Sequence, residues 1–129
     1  QALAGGPLRL GNLTPSRDFT YVSDTVAGFI VAAGCDAAVG ETINLGSGRD
    51  TTVRELVETL NKFIDFNYKF DTAKPSGYPK RVMDISLARE LISYDPSTPL
   101  LNGLKETWNW FMSNQKEYMS KKNYFKDES

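Results

Sequence analysis

Histidine is absent from this chain of 129 residues, and cysteine occurs once, as Cys35. Without an imidazole, the chain by itself has no Ser-His-Asp triad and no His-ligated zinc. A single thiol excludes an internal disulfide, and a reducing, cytoplasmic setting is the natural default. As a nucleophile Cys35 would need a base; it reads instead as a small filler near a helix end. No apolar run approaches the ~20 residues of a membrane span, and the start has no secretion-signal pattern. An excess of charge of one sign is also missing. Fifteen basic and sixteen acidic residues nearly cancel, which gives nucleic acid or an anionic membrane little to hold.

What is present suits one domain of ordinary globular composition. Leu8-Arg9-Leu10 alternates and is closed by Gly11-Asn12, the pattern of a short strand and turn. Residues 19–22 are aromatic and β-branched and predict a strand. Ser23 or Asp24 can then cap a helix whose apolar face is Val26, Phe29, Ile30 and Ala33, ended by Gly34. Residues 42–45 predict a second strand, with Gly46-Ser47-Gly48 as its turn. Thr52-Val53-Arg54-Glu55 is a capping box. Behind it Val53, Leu56, Val57, Leu60 and Ile64 repeat at helical spacing.

Residues 67–70 predict a strand, and the Pro/Gly-rich residues 74–80 a loop. A short helix is expected over about residues 86–93. Thr98-Pro99 predicts the next helix start, a cap followed by proline at the first turn. Leu101, Leu104, Trp108 and Phe111 form one stripe of that helix. Residues 119–129 form a polar tail, expected to fray. Strands alternating with helices imply an α/β fold.

Three segments carry candidate chemistry. Arg17 opens the run Arg17-Asp18-Phe19-Thr20-Tyr21-Val22-Ser23-Asp24. A planar guanidinium at a strand edge can grip two phosphate oxygens at once; it can equally be a surface arginine paired with an acid. Arg81-Val82-Met83-Asp84 follows the Pro/Gly loop. There Arg81 could meet the same anion, with Lys74 and Lys80 adding charge. Alternatively the three cations are a solvated loop and Asp84 a helix cap. Asn44-Leu45-Gly46-Ser47-Gly48 places Gly-x-Gly between a strand and a helix, the setting of a dinucleotide loop. Thr51 stands where that fingerprint needs its third glycine, so the glycines read as turn residues and Asn44 as a possible substrate contact.

In that order the three motifs resemble the substrate-binding end of the extended short-chain dehydrogenase/reductase family, the NAD-dependent sugar-nucleotide epimerases and dehydratases. The resemblance covers residues 8–112. Residues 11–60 look most like nucleotide-sugar 4,6-dehydratases, and residues 74–122 like GDP-fucose synthase-type enzymes. It implies the substrate-binding portion of an extended Rossmann-type fold, one partial domain over residues 1–129. By the same comparison Arg17 and Arg81 contact the substrate diphosphate, Asp84 lies near the nucleoside, and Asp24 caps the next helix.

The family's glycine-rich cofactor loop is not found in the sequence. Its catalytic Tyr-x-x-x-Lys is matched in letters by Tyr118 and Lys122, but in the tail rather than upstream of Arg17. The resemblance thus implies a nucleotide-diphosphate sugar as ligand, no catalytic residue and no cofactor held by this chain, and NAD or NADP in the complete enzyme. Gln1 to Gly6 read like the end of a helix already under way, which suggests a fragment. Residues 42–45 would belong to the missing part's sheet, so the chain alone is expected to self-associate through that edge. The alternative is a stand-alone, non-catalytic binding or assembly module derived from such an enzyme.

Overall fold

The structure, a computed structural model, describes residues 7–75 and 77–120. Among these, five strands of two or three residues are interspersed with five helices: β1 Leu8–Leu10, β2 Ser16–Arg17, α1 Val22–Ala33, β3 Thr51–Thr52, α2 Val53–Asn61, β4 Tyr68–Phe70, β5 Lys80–Arg81, α3 Ser86–Ile92, α4 Leu100–Ser113 and α5 Gln115–Ser120. A 3-10 turn, Asp36–Ala38, follows α1. β1 and β4 form a parallel pair, and β2 lies between β3 (antiparallel) and β5 (parallel). Two-residue strands cannot hold themselves, so the helices and loops around them must.

Several elements form where local chemistry dictates. In α2 the Thr52 hydroxyl accepts from the Glu55 amide, and the Glu55 carboxylate accepts from the Thr52 amide at 2.7 Å. Val57 is buried and Leu56, Leu60 and Ile64 half-buried, facing α4, whose Leu101, Leu104, Trp108 and Phe111 are half-buried in turn. α3 ends at Ser93 in the left-handed conformation.

The main core joins Ile85, Ala88, Ile92 and Tyr94, with Ala32, Cys35, Ala38, Ile43, Leu45 and Leu91 packed against it. The Cys35 thiol donates to the Leu91 carbonyl at 3.4 Å. The Tyr94 hydroxyl is buried without a partner among the described residues; burial, with Asp24 and Asp18 adding to it, raises its pKa.

Five local expectations are corrected. Residues 19–22 are not a strand: the paired residues are Ser16 and Arg17, and α1 begins at Val22. Its N-cap is Tyr21, with no side-chain cap. Asp24 instead reaches across the fold, accepting from the Thr98 amide at 3.1 Å and hydroxyl at 2.9 Å. Thr98 is therefore no cap of α4, whose N-cap is Pro99. The apolar stripe of α1 is its outer face, with Phe29 65% and Ile30 69% exposed. The inner face is Gly28 and Ala32, small enough to bring the helix against Leu45 and Tyr94.

Residues 42–45 are not paired as a strand either. Exposed Thr42 and Asn44 alternate with half-buried Ile43 and Leu45. Among the described residues, no hydrogen bond is made by the backbone of these four. Residues 1–6 and 121–129, including Lys122 and most of the predicted tail, lie outside the described residues; α5 runs to Ser120. Among the described residues no helix is long and apolar enough to cross a membrane.

The close approach of α1 is testable. A Cβ on Gly28 would stand 2.8 Å from Leu45 and 2.9 Å from the buried Tyr94 ring. Overpacking costs about 1–3 kcal/mol, against a helix-propensity gain of about 1 kcal/mol. Gly28→Ala is therefore expected to lower stability by about 1 kcal/mol in urea unfolding, although alanine is the better helix former.

Candidate functional site

β2 and β5 run parallel with Arg17 directly opposite Arg81 and Ser16 opposite Lys80. Residues in register on neighbouring strands, about 4.8 Å apart, project to the same face. Two guanidinium side chains thus leave the sheet side by side. They line a cleft of about 430 Å³ together with Asp18, Asn44, Val82 and Met83, a volume within the range of small-molecule sites.

The two arginines are held differently. Nη1 of Arg17 donates to the carbonyls of Ser16 at 2.6 Å and Tyr78 at 2.9 Å. Arg81 is exposed, and its guanidinium has no partner among the described residues. Like charges directly opposite one another on a sheet repel, an arrangement that an anion between them would relieve.

Asp18 ties this cleft together. One carboxylate oxygen accepts from the Ser47 amide (2.7 Å), the Ser47 hydroxyl (2.5 Å) and the Thr20 hydroxyl (3.0 Å). The other accepts from the Gly48 amide at 2.9 Å and the Met83 amide at 3.2 Å. The Asp18 amide also donates to the Arg81 carbonyl at 3.0 Å. Gly46 is buried where a Cβ would lie 2.8 Å from the Asp18 carboxylate and from the Met83 sulfur. Gly48 sits at φ +65°, where a side chain is strained. Both glycines serve the approach of Asp18.

The remaining sequence-derived residues fall around this hub. The Asn44 amide donates to the Asp84 carbonyl at 3.1 Å while Asn44 lines the cleft. The Asp84 carboxylate is not among the lining groups; it accepts from the Ser86 amide (2.9 Å) and hydroxyl (2.6 Å) at the start of α3. Lys80 is turned to Asp50, 2.6 Å away, and neither it nor Lys74 lines the cleft. The central role of Asp18 escaped the sequence reading. Its signal was present: an acid one residue after Arg17, and a Gly-x-Gly turn whose amides attract a carboxylate.

That turn also decides what a dinucleotide could find here. The Ser47 and Gly48 amides, which a phosphate loop would offer to a ligand, are already bound to Asp18. The residues present do not fit a nicotinamide dinucleotide as a glycine-rich loop would. Tyr118 packs edge-on against Phe111 at 5.6 Å, far along the chain from the cleft residues.

Fold and cleft together define an α/β portion with a recess of small-molecule size that carries two arginines. No family model matches the chain. Among curated proteins it is 34% identical over 106 residues to a probable GDP-L-fucose synthase of Oryza sativa subsp. japonica, covering 81% of this chain and 32% of the relative. It is 32% identical over 118 residues to the GDP-L-fucose synthase of Escherichia coli, covering 84% and 36%. Among solved structures it matches the epimerase Mth375 of Methanothermobacter thermautotrophicus with a TM-score of 0.82 at 29% identity, over 92% of this chain and 36% of that one. It matches the UDP-glucuronic acid 4-epimerase of Bacillus cereus, solved with NAD, with a TM-score of 0.75 at 27% identity, over 90% and 37%. The chain is homologous to sugar-nucleotide epimerases and fucose synthases of the extended short-chain dehydrogenase/reductase type, and shares their Rossmann-type α/β fold. It spans about a third of the length of these relatives.

The hub makes stability acid-sensitive. Burial pushes the Asp18 carboxyl up, but the bonds from Ser47, Gly48 and Thr20 outweigh it and the net pKa is lowered. Asp50, Glu55 and Asp84 are lowered as well, by hydrogen bonds from Lys80, Thr52 and Ser86 respectively. A carboxyl with a depressed folded pKa contributes stability that is fully present above its unfolded pKa, about 4, and is lost as pH falls through the folded value. Unfolding free energy is therefore expected to hold through neutral pH and fall below about pH 4. Asp18→Ala should be less stable at neutral pH and show a shallower acid loss in denaturant titrations.

Proposed function

We propose that this chain is the part of an NAD(P)-dependent sugar-nucleotide epimerase or dehydratase that holds the substrate's diphosphate. The observation that carries the reading is the in-register pair Arg17 and Arg81 on the wall of one cleft. Two planar forks at strand spacing suit two linked phosphates, each able to accept bidentate bonds. Asn44, which lines the same cleft, would contact the ligand beside them. Asp84 contributes through its backbone carbonyl, which orients Asn44. The relatives support the reading from another side. They include proteins named for GDP-linked and for UDP-linked sugars, and the group common to those ligands is the diphosphate.

The chain's own share of the chemistry is binding and orientation. Held at the diphosphate, a substrate has its sugar fixed relative to whatever reacts with it, which is where a large part of a rate enhancement originates. NAD or NADP, in the complete enzyme, supplies the hydride chemistry. No residue of this chain is assigned a catalytic role, and no turnover is expected from it alone.

The test is a calorimetric titration with UDP, GDP, dTDP and CDP, with NAD as comparator. One or more nucleoside diphosphates should bind and NAD should not. Arg17→Ala and Arg81→Ala should each weaken binding about 10- to 100-fold, the worth of one or two hydrogen bonds to a charged group. Failure of every diphosphate to bind a cooperatively folded chain would remove the reading.

We further propose that the unpaired backbone of residues 42–45 makes the chain self-associate, since an open strand edge is a template for a second one. Light scattering is expected to show dimers or larger species whose fraction rises with concentration, and Ile43→Pro should shift them toward monomer. A monodisperse monomer across that range would contradict it.

A further inference from the structure

We propose that Asp18 is the positioning residue of the cleft, its carboxylate fixing how Arg17 and Arg81 stand relative to each other and to Asn44. The inference rests on the reading of the cleft as a diphosphate site and assigns the residue that shapes it.

Asp18 directly follows β2 and lines the cleft beside Arg17. From there its carboxylate grips three segments. It holds the chain just beyond β2 through Thr20, the turn after Asn44 through Ser47 and Gly48, and the chain after Arg81 through Met83. Its amide bond to the Arg81 carbonyl closes the same loop from the backbone side. Asp18 therefore bonds both the Arg81 carbonyl and the amide two residues further on, and Asn44 lies two residues from a turn held by that same residue.

The side chain must be an acceptor at both oxygens, because five donors converge on it. Only an ionised carboxylate meets that demand. In Asp18→Asn the amide NH2 would face the donors of either the Ser47 side or the Gly48 and Met83 side. β2 and β5, each two residues long, have little else to keep their register. A preorganised pair of forks binds an anion with less ordering cost than two free side chains.

The sign of the effect separates positioning from simple charge. Removing a negative charge beside an anion site should tighten binding if Asp18 acts only by Coulomb repulsion. Positioning requires the reverse. Inorganic pyrophosphate is titrated into wild type and Asp18→Asn, with Arg81→Ala as the control for the site itself. Amide hydrogen exchange and the Arg Nε–H resonances are followed in the free proteins.

Asp18→Asn is expected to bind pyrophosphate at least about tenfold more weakly. In the free variant the amides of Ser47, Gly48 and Met83 should exchange faster, and the Arg17 and Arg81 resonances should move. Equal or tighter binding in Asp18→Asn would overturn the inference while leaving the diphosphate reading intact. No binding by wild type would remove that reading; positioning of the arginines is then decided by the free-protein spectra, and unmoved Arg resonances overturn it. If Asp18→Asn does not fold, Ser47→Ala, which removes one of the five donors, is put through the same measurements with the same expected directions.

Discussion

A single carboxylate with five donors is the constraint on which the described site depends. Among the described residues no large side chain is completely buried, and the strands are two or three residues long. Hydrophobic packing alone does not set the register of such short strands. Asp18 does so by satisfying donors that would otherwise face one another across a loop junction. An acceptor shared by several segments is cooperative in a plain sense: each bond fixes the geometry that the others need. The arginines, by contrast, make few contacts of their own, and their placement follows from where Asp18 holds the backbone.

Features set by neighbouring residues were legible in the sequence. The Thr52–Glu55 box, the turn at Gly46-Ser47-Gly48, the extent of α3 and the stripe of α4 all rest on chemistry within a few positions. What was not legible depends on partners far along the chain. Asp24 reads as a helix cap because caps sit at such positions, yet its acceptors are taken by Thr98, 74 residues away. Asp18 drew no role of its own from the sequence, and apart from Thr20 its carboxylate's partners are 29 to 65 residues off. The Arg81–Asp84 pair divides on the same principle. Asp84 bonds locally, to Ser86, as its spacing allowed, while Arg81 owes its position to the strand opposite.

The outer face of α1 shows why hydrophobic periodicity alone misassigned a surface. Periodicity finds the apolar stripe, and an apolar stripe ordinarily marks the buried side. Here the buried side is small, because Gly28 and Ala32 admit Leu45 and Tyr94 at short range, and Phe29 and Ile30 point outward. Residues 42–45, with their unpaired backbone, repeat the lesson for strand structure: the alternation is present, and the neighbouring strands are not among the described residues. Among the described residues, then, neither the outer face of α1 nor the backbone of residues 42–45 is covered by another element.

The Gly-x-Gly turn brings these strands of argument together. Glycines between a strand-like segment and a helix leave backbone amides free to converge, and converging amides bind an anion. Sequence pattern alone does not say which anion. In this chain it is an internal one, and the close contacts at Gly46 show why glycine is needed: the room is taken by Asp18 and Met83. A turn that in another setting would hold a dinucleotide's phosphates here holds a side chain, the carboxylate that lines the cleft beside the two arginines. On the proposed reading the same elementary interaction, amide to anion, is used inside the fold to prepare a second, guanidinium to anion, in that cleft.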